Sequence, residues 1–426
     1  MTEIYLTHRI SLEGSEKLEV IRDYGAYATA EQVIKSLEPD QVIELVKASG
    51  LRGRGGAGFP TGVKWGFMPK GHQGPRYLGV NADEGEPGTC KDRIIMEQDP
   101  HLLIEGIVIA CFAIRAEHAY IYIRGEYLKS YRVLADAIAE AEEAGVLGDD
   151  VFGCRGLSIR VHLHRGAGAY ICGEETSLME SLEGRRGHPR PKPPFPAIAG
   201  LWGMPTAINN VETIANLPAI LDKGVEWYRS LGTKNSPGNL LFGVSGHVLN
   251  PGVFELPMGT TVKELIYEHC NGMRGDLPLK SFCPGGSSTG FLPASAVDTP
   301  MDHDSLMGVG SMLGTGGLIV MDESVKIPEA LEVLAAFYHH ETCGQCPPCR
   351  ESCAWCHVIL KRMLSGKGKP KDLEMLQEIF NMSCGGKTIC VFPDALGVPV
   401  RTALKHFREE FEALINKGSV KTNAVA

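Results

Sequence analysis

The sequence has no basic excess. Its 42 Lys and Arg against 51 Asp and Glu leave a net charge of -9 over 426 residues, and the cations are scattered. Nucleic acid and anionic membrane surfaces are therefore excluded as direct partners, because both select for a positive field. Long apolar runs are missing too: the most apolar stretch, residues 102–114, is interrupted by Glu105 and is too short to span a bilayer. The first residues, Met1-Thr2-Glu3-Ile4-Tyr5, lack the basic-then-apolar order of a secretory signal. The chain is expected to be soluble and cytoplasmic. Thirteen cysteines is an odd number, with five of them between residues 343 and 356, which speaks for metal ligation plus buried thiols in a reducing compartment rather than a disulfide framework. The length allows two to four domains with large cores.

What the chain does have is Cys343-Gly344-Gln345-Cys346-Pro347-Pro348-Cys349. Three thiolates at two-residue spacing can close on one iron-sulfur cluster or one zinc, and little else requires that spacing. The Pro pair suits the first turn of a helix. That helix is expected over residues 350–364, where Cys349, Cys353, Cys356, Leu360, Met363 and Leu364 share one face, so Cys353 and Cys356 are accounted for as small core residues. Cys343, Cys346, Cys349 and Cys353 also satisfy the ferredoxin run. Ala354, however, stands where that run has Pro, and no second set of three closely spaced cysteines exists for a partner cluster. A remote fourth ligand is the better reading, with Cys384 and Cys390 as the candidates. A purely structural metal knot is the plainer alternative.

Upstream, residues 31–47 carry apolar side chains at helical spacing and Gly50 stops the helix. The loop Gly53-Arg54-Gly55-Gly56-Ala57-Gly58 matches GxGxxG, but a helix precedes it where the dinucleotide fingerprint needs a strand, and Pro60 follows closely. It reads instead as a loop whose backbone can approach a flat or phosphorylated ligand. Residues 77–80 form a buried strand that runs into Asn81-Ala82-Asp83-Glu84-Gly85-Glu86. A helix capped by Asp99-Pro100, a strand over 119–123, a helix over 127–144 and a strand over 157–164 follow, an alternation that means a mostly parallel sheet. The last strand leads into Gly166-Ala167-Gly168-Ala169-Tyr170-Ile171-Cys172-Gly173-Glu174-Glu175. Ligands of such sheets sit outside the carboxyl ends of the strands, so these loops should wall one site.

Residues 185–196 are too rich in Pro for helix or central strand. Asn210 is expected to cap a helix to Leu221 whose free amides suit a phosphate. Short strands over 240–244, 252–256 and 318–321, with a helix over 262–269, read as a small α+β module. It has no cluster of titratable groups and is assigned a scaffolding role. Helical patterns over 329–338, 350–364, 372–382 and 400–415 suggest a bundle around the cysteines.

The segments GLRGRGGAGFPTGVKW from Gly50, NADEGEPG from Asn81, GAGAYICGEET from Gly166, NNVET from Asn209 and ETCGQCPPCR from Glu341, in that order, resemble the NADH- and flavin-binding subunit of respiratory complex I. The resemblance covers nearly the whole chain. It implies an FMN-binding α/β domain over residues 1–239, a ubiquitin-like β-grasp domain over 240–327 and a C-terminal four-helix bundle carrying a 4Fe-4S cluster over 328–426. The implied activity is NADH oxidation by hydride transfer to FMN, with single electrons leaving through the cluster. A thioredoxin-like 2Fe-2S subunit and further iron-sulfur subunits of the peripheral arm are the implied partners, at the inner face of the cell membrane. Diaphorase subunits of soluble NAD-linked hydrogenases and formate dehydrogenases share the motifs and form the alternative; a non-enzymatic scaffold with structural zinc is a second one.

By the same resemblance, Gly53, Arg54, Gly55, Lys64, Asn81, Asp83, Glu84, Gly173, Glu174, Asn209, Asn210 and Thr213 match positions that hold FMN. Gly56, Ala57, Gly58, Phe59, Phe67, Glu86, Tyr170, Glu175, Lys192 and Phe195 match positions around NADH, although core packing would also explain the aromatics. The cluster ligands carried over are Cys343, Cys346, Cys349 and Cys390, the last because it follows Thr388-Ile389. No protein acid or base is implied for the hydride transfer. This sequence departs from the family pattern at Gly85, usually Ser, at Cys90, usually aromatic, at Pro347, usually Thr, and at Val391-Phe392-Pro393. A glycine at 85 can adopt positive φ and flip its flanking peptide at little steric cost, so the Glu84 carbonyl is expected to be able to turn towards or away from the flavin as its redox state changes.

Overall fold

The computed structural model describes residues 3–422; residues 1–2 and 423–426, the outer limits of the expected first and last domains, lie outside the described residues. The N-terminal half is built on a four-stranded, all-parallel sheet of β1 (Tyr77–Ala82), β2 (His118–Ile123), β3 (Arg160–Arg165) and β4 (Thr206–Asn210), in the order β3-β2-β1-β4. From β1 the chain builds outwards to β3 and then returns to lay β4 on the other side of β1. Strand order thus reverses between β1 and β4, and the crevice beyond their carboxyl ends is where open parallel sheets take ligands.

The helix Pro100–Ile114 explains why the most apolar stretch crosses nothing. Asp99 caps it by accepting the Leu102 N–H at 3.1 Å, and every residue except Phe112 is buried. A helix apolar on all sides belongs in a core. Gly106 lets the helix Val211–Ala215 come close: a Cβ there would lie 2.3 Å from the Ile214 carbonyl oxygen. Glu105, the carboxylate that interrupts the run, accepts the Ala30 N–H at 3.1 Å near the start of the helix Ala28–Ser36, and burial raises its carboxyl above the ordinary value.

Two expected helices are each split by a proline. Residues 31–47 divide into Ala28–Ser36 and Pro39–Ser49, because Pro39 starts a new helix and Gln41 Oε1 accepts the Glu38 N–H at 2.8 Å. The helix expected after Asn210 likewise becomes Val211–Ala215 and Leu217–Lys223, with Pro218 in the first turn of the second.

The second unit is a five-stranded mixed sheet in the order Leu292–Pro293, Leu279–Cys283, Gly317–Asp322, Asn239–Gly246, Gly252–Pro257. Gly317–Asp322 runs parallel to Asn239–Gly246, while the other pairings are antiparallel, the mixed arrangement of a β-grasp sheet. The helices Ile327–Glu341, Pro347–Arg362, Asp372–Ser383, Phe392–His406 and Arg408–Thr422 follow. The last expected pattern, 400–415, is therefore two helices broken at Phe407, and the first of them begins at Phe392 and contains Pro399. An internal proline masks helical periodicity in a sequence. Among the described residues, no helix is long and apolar enough to cross a membrane.

Candidate functional site

The glycine loop reaches the crevice by being sewn to the turn after β4. The Arg54 N–H donates to Thr213 Oγ1 at 2.8 Å, and a Cβ on Gly55 would lie 3.0 Å from Asn210 Cβ. Asn210 in turn donates to Asp92 Oδ2 at 2.5 Å and caps Thr213 N–H at 3.3 Å. The helix expected to offer free amides is only five residues long, and its Thr213 amide is taken by this cap. Asn209 accepts from Trp65 Nε1 at 2.9 Å, and Lys64 Nζ donates to the Ile208 carbonyl at 2.8 Å. Burial pulls the Lys64 ammonium below its usual range, against the nearby Glu175.

Across the crevice, Asn81 Nδ2 donates to the Gly173 carbonyl at 2.8 Å, and Asn81 Oδ1 accepts the Asp83 N–H at 3.1 Å. Burial pushes the Asp83 carboxyl up to about 7, and its Oδ2 is buried without a partner. A Cβ on Gly173 would stand 3.5 Å from the Asp83 carbonyl oxygen and 4.0 Å from that unpaired Oδ2. An orphaned acceptor beside bare backbone fits a flat, polar cofactor that supplies a donor and lies against peptide groups.

Two residues expected at FMN present only backbone. The Arg54 guanidinium turns into the interior, donating to Tyr228 Oη at 3.0 Å and the Pro237 carbonyl at 2.8 Å. The Glu84 carboxylate turns away to accept the Asp92 N–H at 2.9 Å and the Tyr127 hydroxyl at 3.0 Å. Arg124 Nη1 donates to the Glu84 carbonyl at 2.9 Å, a bond that turning this carbonyl would break. Gly85 itself lacks positive φ; what requires glycine is space, a Cβ meeting Tyr170 Cδ2 at 3.2 Å.

Of the residues expected around NADH, Glu86 has the most hydrogen-bond partners. It accepts the Tyr170 hydroxyl at 2.7 Å, the Ser288 N–H at 2.8 Å and the Ser287 hydroxyl at 3.2 Å, although burial raises its carboxyl. The two serines belong to the second unit, whose loop also forces Gly286: a Cβ there would lie 2.5 Å from Glu86 Cγ. The second unit therefore does more than the expected scaffolding: it holds Glu86, one of the residues expected around NADH. Pro284-Gly285-Gly286-Ser287-Ser288 was the overlooked signal, a further glycine pair beside hydroxyls. His303 from the same unit lies against Gly58, and Thr315 lies near Gly56. Ala57 is exposed.

Lys192 Nζ sits 2.6 Å from Glu175 and 3.2 Å from Glu174, while Glu174 also caps the helix Glu175–Leu182. Phe59, Phe67 and Phe195 are 45%, 56% and 58% exposed, which rules out core packing for all three. Phe59 and Phe67 lie with ring centroids 6.3 Å apart.

Cys343, Cys346, Cys349 and Cys390 line one small cavity, with Thr342 and Phe392 among its other walls. Cys353, Cys356 and Cys384 are buried but do not line it. The cysteine loop meets the helix Pro347–Arg362 at its first turn, as the Pro pair requires. Thr342 Oγ1 lies 3.5 Å from Cys349 Sγ, and a hydrogen bond from Cys353 holds the Cys349 thiol below its usual range. Burial pushes Cys390 up to about 12. Among the described residues no three His, Cys, Asp or Glu side chains close on a single metal ion. Four thiols around a void suit a cluster, whose irons carry one thiolate each, better than one tetrahedral zinc.

A switch-point crevice with a glycine cradle, next to a four-thiol cavity, defines a flavin- and iron-sulfur-dependent oxidoreductase. Three family models match in succession: the Nuo51 FMN-binding domain over residues 46–219, the SLBB domain over 241–292 and the NADH-ubiquinone oxidoreductase-F iron-sulfur binding region over 329–414. The second of the NADH-quinone oxidoreductase F subunits of Rhizobium meliloti (strain 1021) is 48% identical over 98% of this chain and 99% of its own length. The corresponding F subunit of Escherichia coli (strain K12) is 46% identical over 96% of this chain and 92% of its own. The chain belongs to the family of NADH-quinone oxidoreductase F subunits. Among solved structures, a NAD+-reducing [NiFe]-hydrogenase in the H2-reduced state superposes with a TM-score of 0.83 at 35% identity, over 92% of this chain. This chain spans 64% of that hydrogenase chain. The resemblance drawn from the five motifs, the mixed α/β fold class, and FMN and a 4Fe-4S cluster as cofactors are borne out.

Proposed function

We infer that this chain is the electron-input subunit that oxidises NADH at FMN and passes single electrons through a 4Fe-4S cluster to a partner iron-sulfur subunit. Bound FMN supplies the conversion of a two-electron hydride donor into one-electron steps. The chain's own residues bind and orient. Asn81, Asp83, Gly173, Glu174, Lys64, Asn209, Asn210, Thr213 and the backbone of Gly53 to Gly55 and Glu84 hold FMN. Gly56 to Gly58, Glu86, Tyr170, Glu175, Lys192 and the three exposed phenylalanines hold NADH. Cys343, Cys346, Cys349 and Cys390 hold the cluster. The carrying observation is Tyr170, whose hydroxyl binds Glu86 while its ring packs against Phe392 of the cysteine cavity, at a centroid distance of 5.9 Å.

The domain limits fall at 239/240 and 327/328. A thioredoxin-like 2Fe-2S subunit receives the electrons, and the assembly sits at the inner face of the cell membrane. Relatives matched over almost their whole length are NADH-quinone oxidoreductase subunits, which favours quinone as final acceptor over a hydrogenase partner.

Purified without oxygen, the protein should be yellow-brown, with flavin absorbance bleached by NADH; colourless protein carrying zinc would overturn this reading. Gly85 tests the nucleotide wall. With Tyr170 Cδ2 at 3.2 Å from a Cβ, serine requires a shift of a few tenths of an ångström. The branched methyls of valine displace the tyrosine that orients Glu86. Gly85→Val should raise KM for NADH about tenfold, equivalent to ~1.4 kcal/mol, and Gly85→Ser by clearly less. Unchanged KM in the valine variant would detach this wall from the nucleotide.

A further inference from the structure

Tyr170 touches both chain segments that carry the cysteines. Its N–H donates to Glu341 Oε2 at 3.0 Å, and Glu341 ends the helix Ile327–Glu341 directly before Thr342 and Cys343. Its ring meets that of Phe392, which opens the helix Phe392–His406 two residues after Cys390. The hydroxyl of the same residue reaches Glu86 at 2.7 Å. Phe337 and Tyr338 hold the ring edge-on at centroid distances of 5.3 and 5.9 Å. Packed on three sides, Tyr170 cannot shift without moving the end of the helix Ile327–Glu341.

Glu341 is poorly placed as a helix residue. Its carboxylate faces the negative end of the helix dipole and has only 16% side-chain exposure. Two contacts hold it, the Tyr170 N–H and His340 Nδ1 at 3.0 Å. What it accomplishes there is a link between the nucleotide wall and the first residue of the cysteine loop.

We propose that Glu341 is a positioning residue that couples the two sites: through Tyr170, occupancy of the cleft beside Glu86 sets the placement of the cysteine loop and thereby the reduction potential of the cluster it carries. The proposal rests on the functional reading above. By reciprocity, the redox state of the cluster changes nucleotide affinity by the same factor. A tenfold difference in affinity corresponds to about 59 mV for a one-electron centre.

The test is an EPR-monitored redox titration of the cluster in the cofactor-loaded complex, with and without saturating ADP-ribose, which occupies the cleft but has no hydride to exchange. The wild-type midpoint should shift by the equivalent of threefold or more in affinity, about 28 mV. Glu341→Gln, whose amide oxygen still accepts the Tyr170 N–H, should keep the shift. Glu341→Ala should lose it, and so should Tyr170→Phe, which cuts the Glu86 contact and decides the matter if the alanine variant takes up no cluster. A shift that survives Ala and Phe, or its absence in wild type with flavin and cluster signals present, overturns the proposal. Equal loss in Gln and Ala assigns the effect to charge and overturns the positioning role. Wild-type protein without flavin and cluster signals would instead overturn the functional reading.

Discussion

Cys390→Ser removes or converts the 4Fe-4S cluster, while Cys384→Ser and Cys353→Ser leave its EPR and visible signals in place. Cys390 lines the same cavity as Cys343, Cys346 and Cys349; the other two do not. Cys384 is packed against Gly397, where a Cβ would lie 2.6 Å from its Sγ, and Cys353 sits in the bundle core with no exposure. A serine hydroxyl is a poor substitute for a soft thiolate ligand. Electron delivery beyond the flavin should therefore fall to background in the Cys390 variant, whereas bleaching of the flavin by NADH, which precedes the cluster, persists. Cluster loss in Cys353→Ser together with retention in Cys390→Ser would restore the ferredoxin run.

What could be read beforehand was local. Asp99-Pro100 announces a helix start, Gly50 a helix stop with φ of 72°, and the Cys343 spacing a cluster, because each depends on neighbours within one turn. The misses fall into two physical kinds. Prolines act locally but ambiguously: Pro39 splits a helix, whereas Pro399 is carried inside one. Side-chain direction depends on partners far away in the chain. The Arg54 guanidinium is claimed by Tyr228 and Pro237, and the Glu84 carboxylate by Asp92 and Tyr127, so both residues belong to the site region without pointing into it. The links Ser288–Glu86 and Tyr170–Glu341 span 202 and 171 residues, separations over which no periodicity carries information. Motif resemblance located Glu86, Tyr170 and Glu341 but not Ser288, and only geometry showed that the second unit holds Glu86.

Lys91→Met should be the most destabilising single change near the flavin crevice. Lys91 and Glu212 are 1% and 0% exposed; the ammonium lies 2.6 Å from Glu212 and 2.7 Å from Asp92. Glu212 also accepts the Leu241 N–H at 2.9 Å in the first strand of the second unit, and Asp92 holds Asn210 at the crevice. Burial lowers the Lys91 proton affinity, but the carboxylates of Asp92, Glu212 and Glu84 outweigh it and hold the ammonium well above its usual range. Methionine fills the volume and leaves these carboxylates without a cation. Breaking a buried pair in this way costs about 3–5 kcal/mol, a large share of an ordinary stability margin. The loss should depend on pH. Burial, then the Asp92 charge, raises Glu84 from 4.5 to about 7, so the folded state keeps a proton that the unfolded chain releases, and this contribution is lost as pH rises through 7. Without Lys91, Glu84 and Glu212 take up protons more readily. The variant should therefore lose most Tm at about pH 8 and recover towards about pH 5.5, and it should shed FMN on gel filtration at the higher pH. Adding Glu212→Gln should restore part of the loss, as expected of residues in contact. Equal melting at both pH values with wild-type flavin retention would show that Lys91 does not hold these carboxylates.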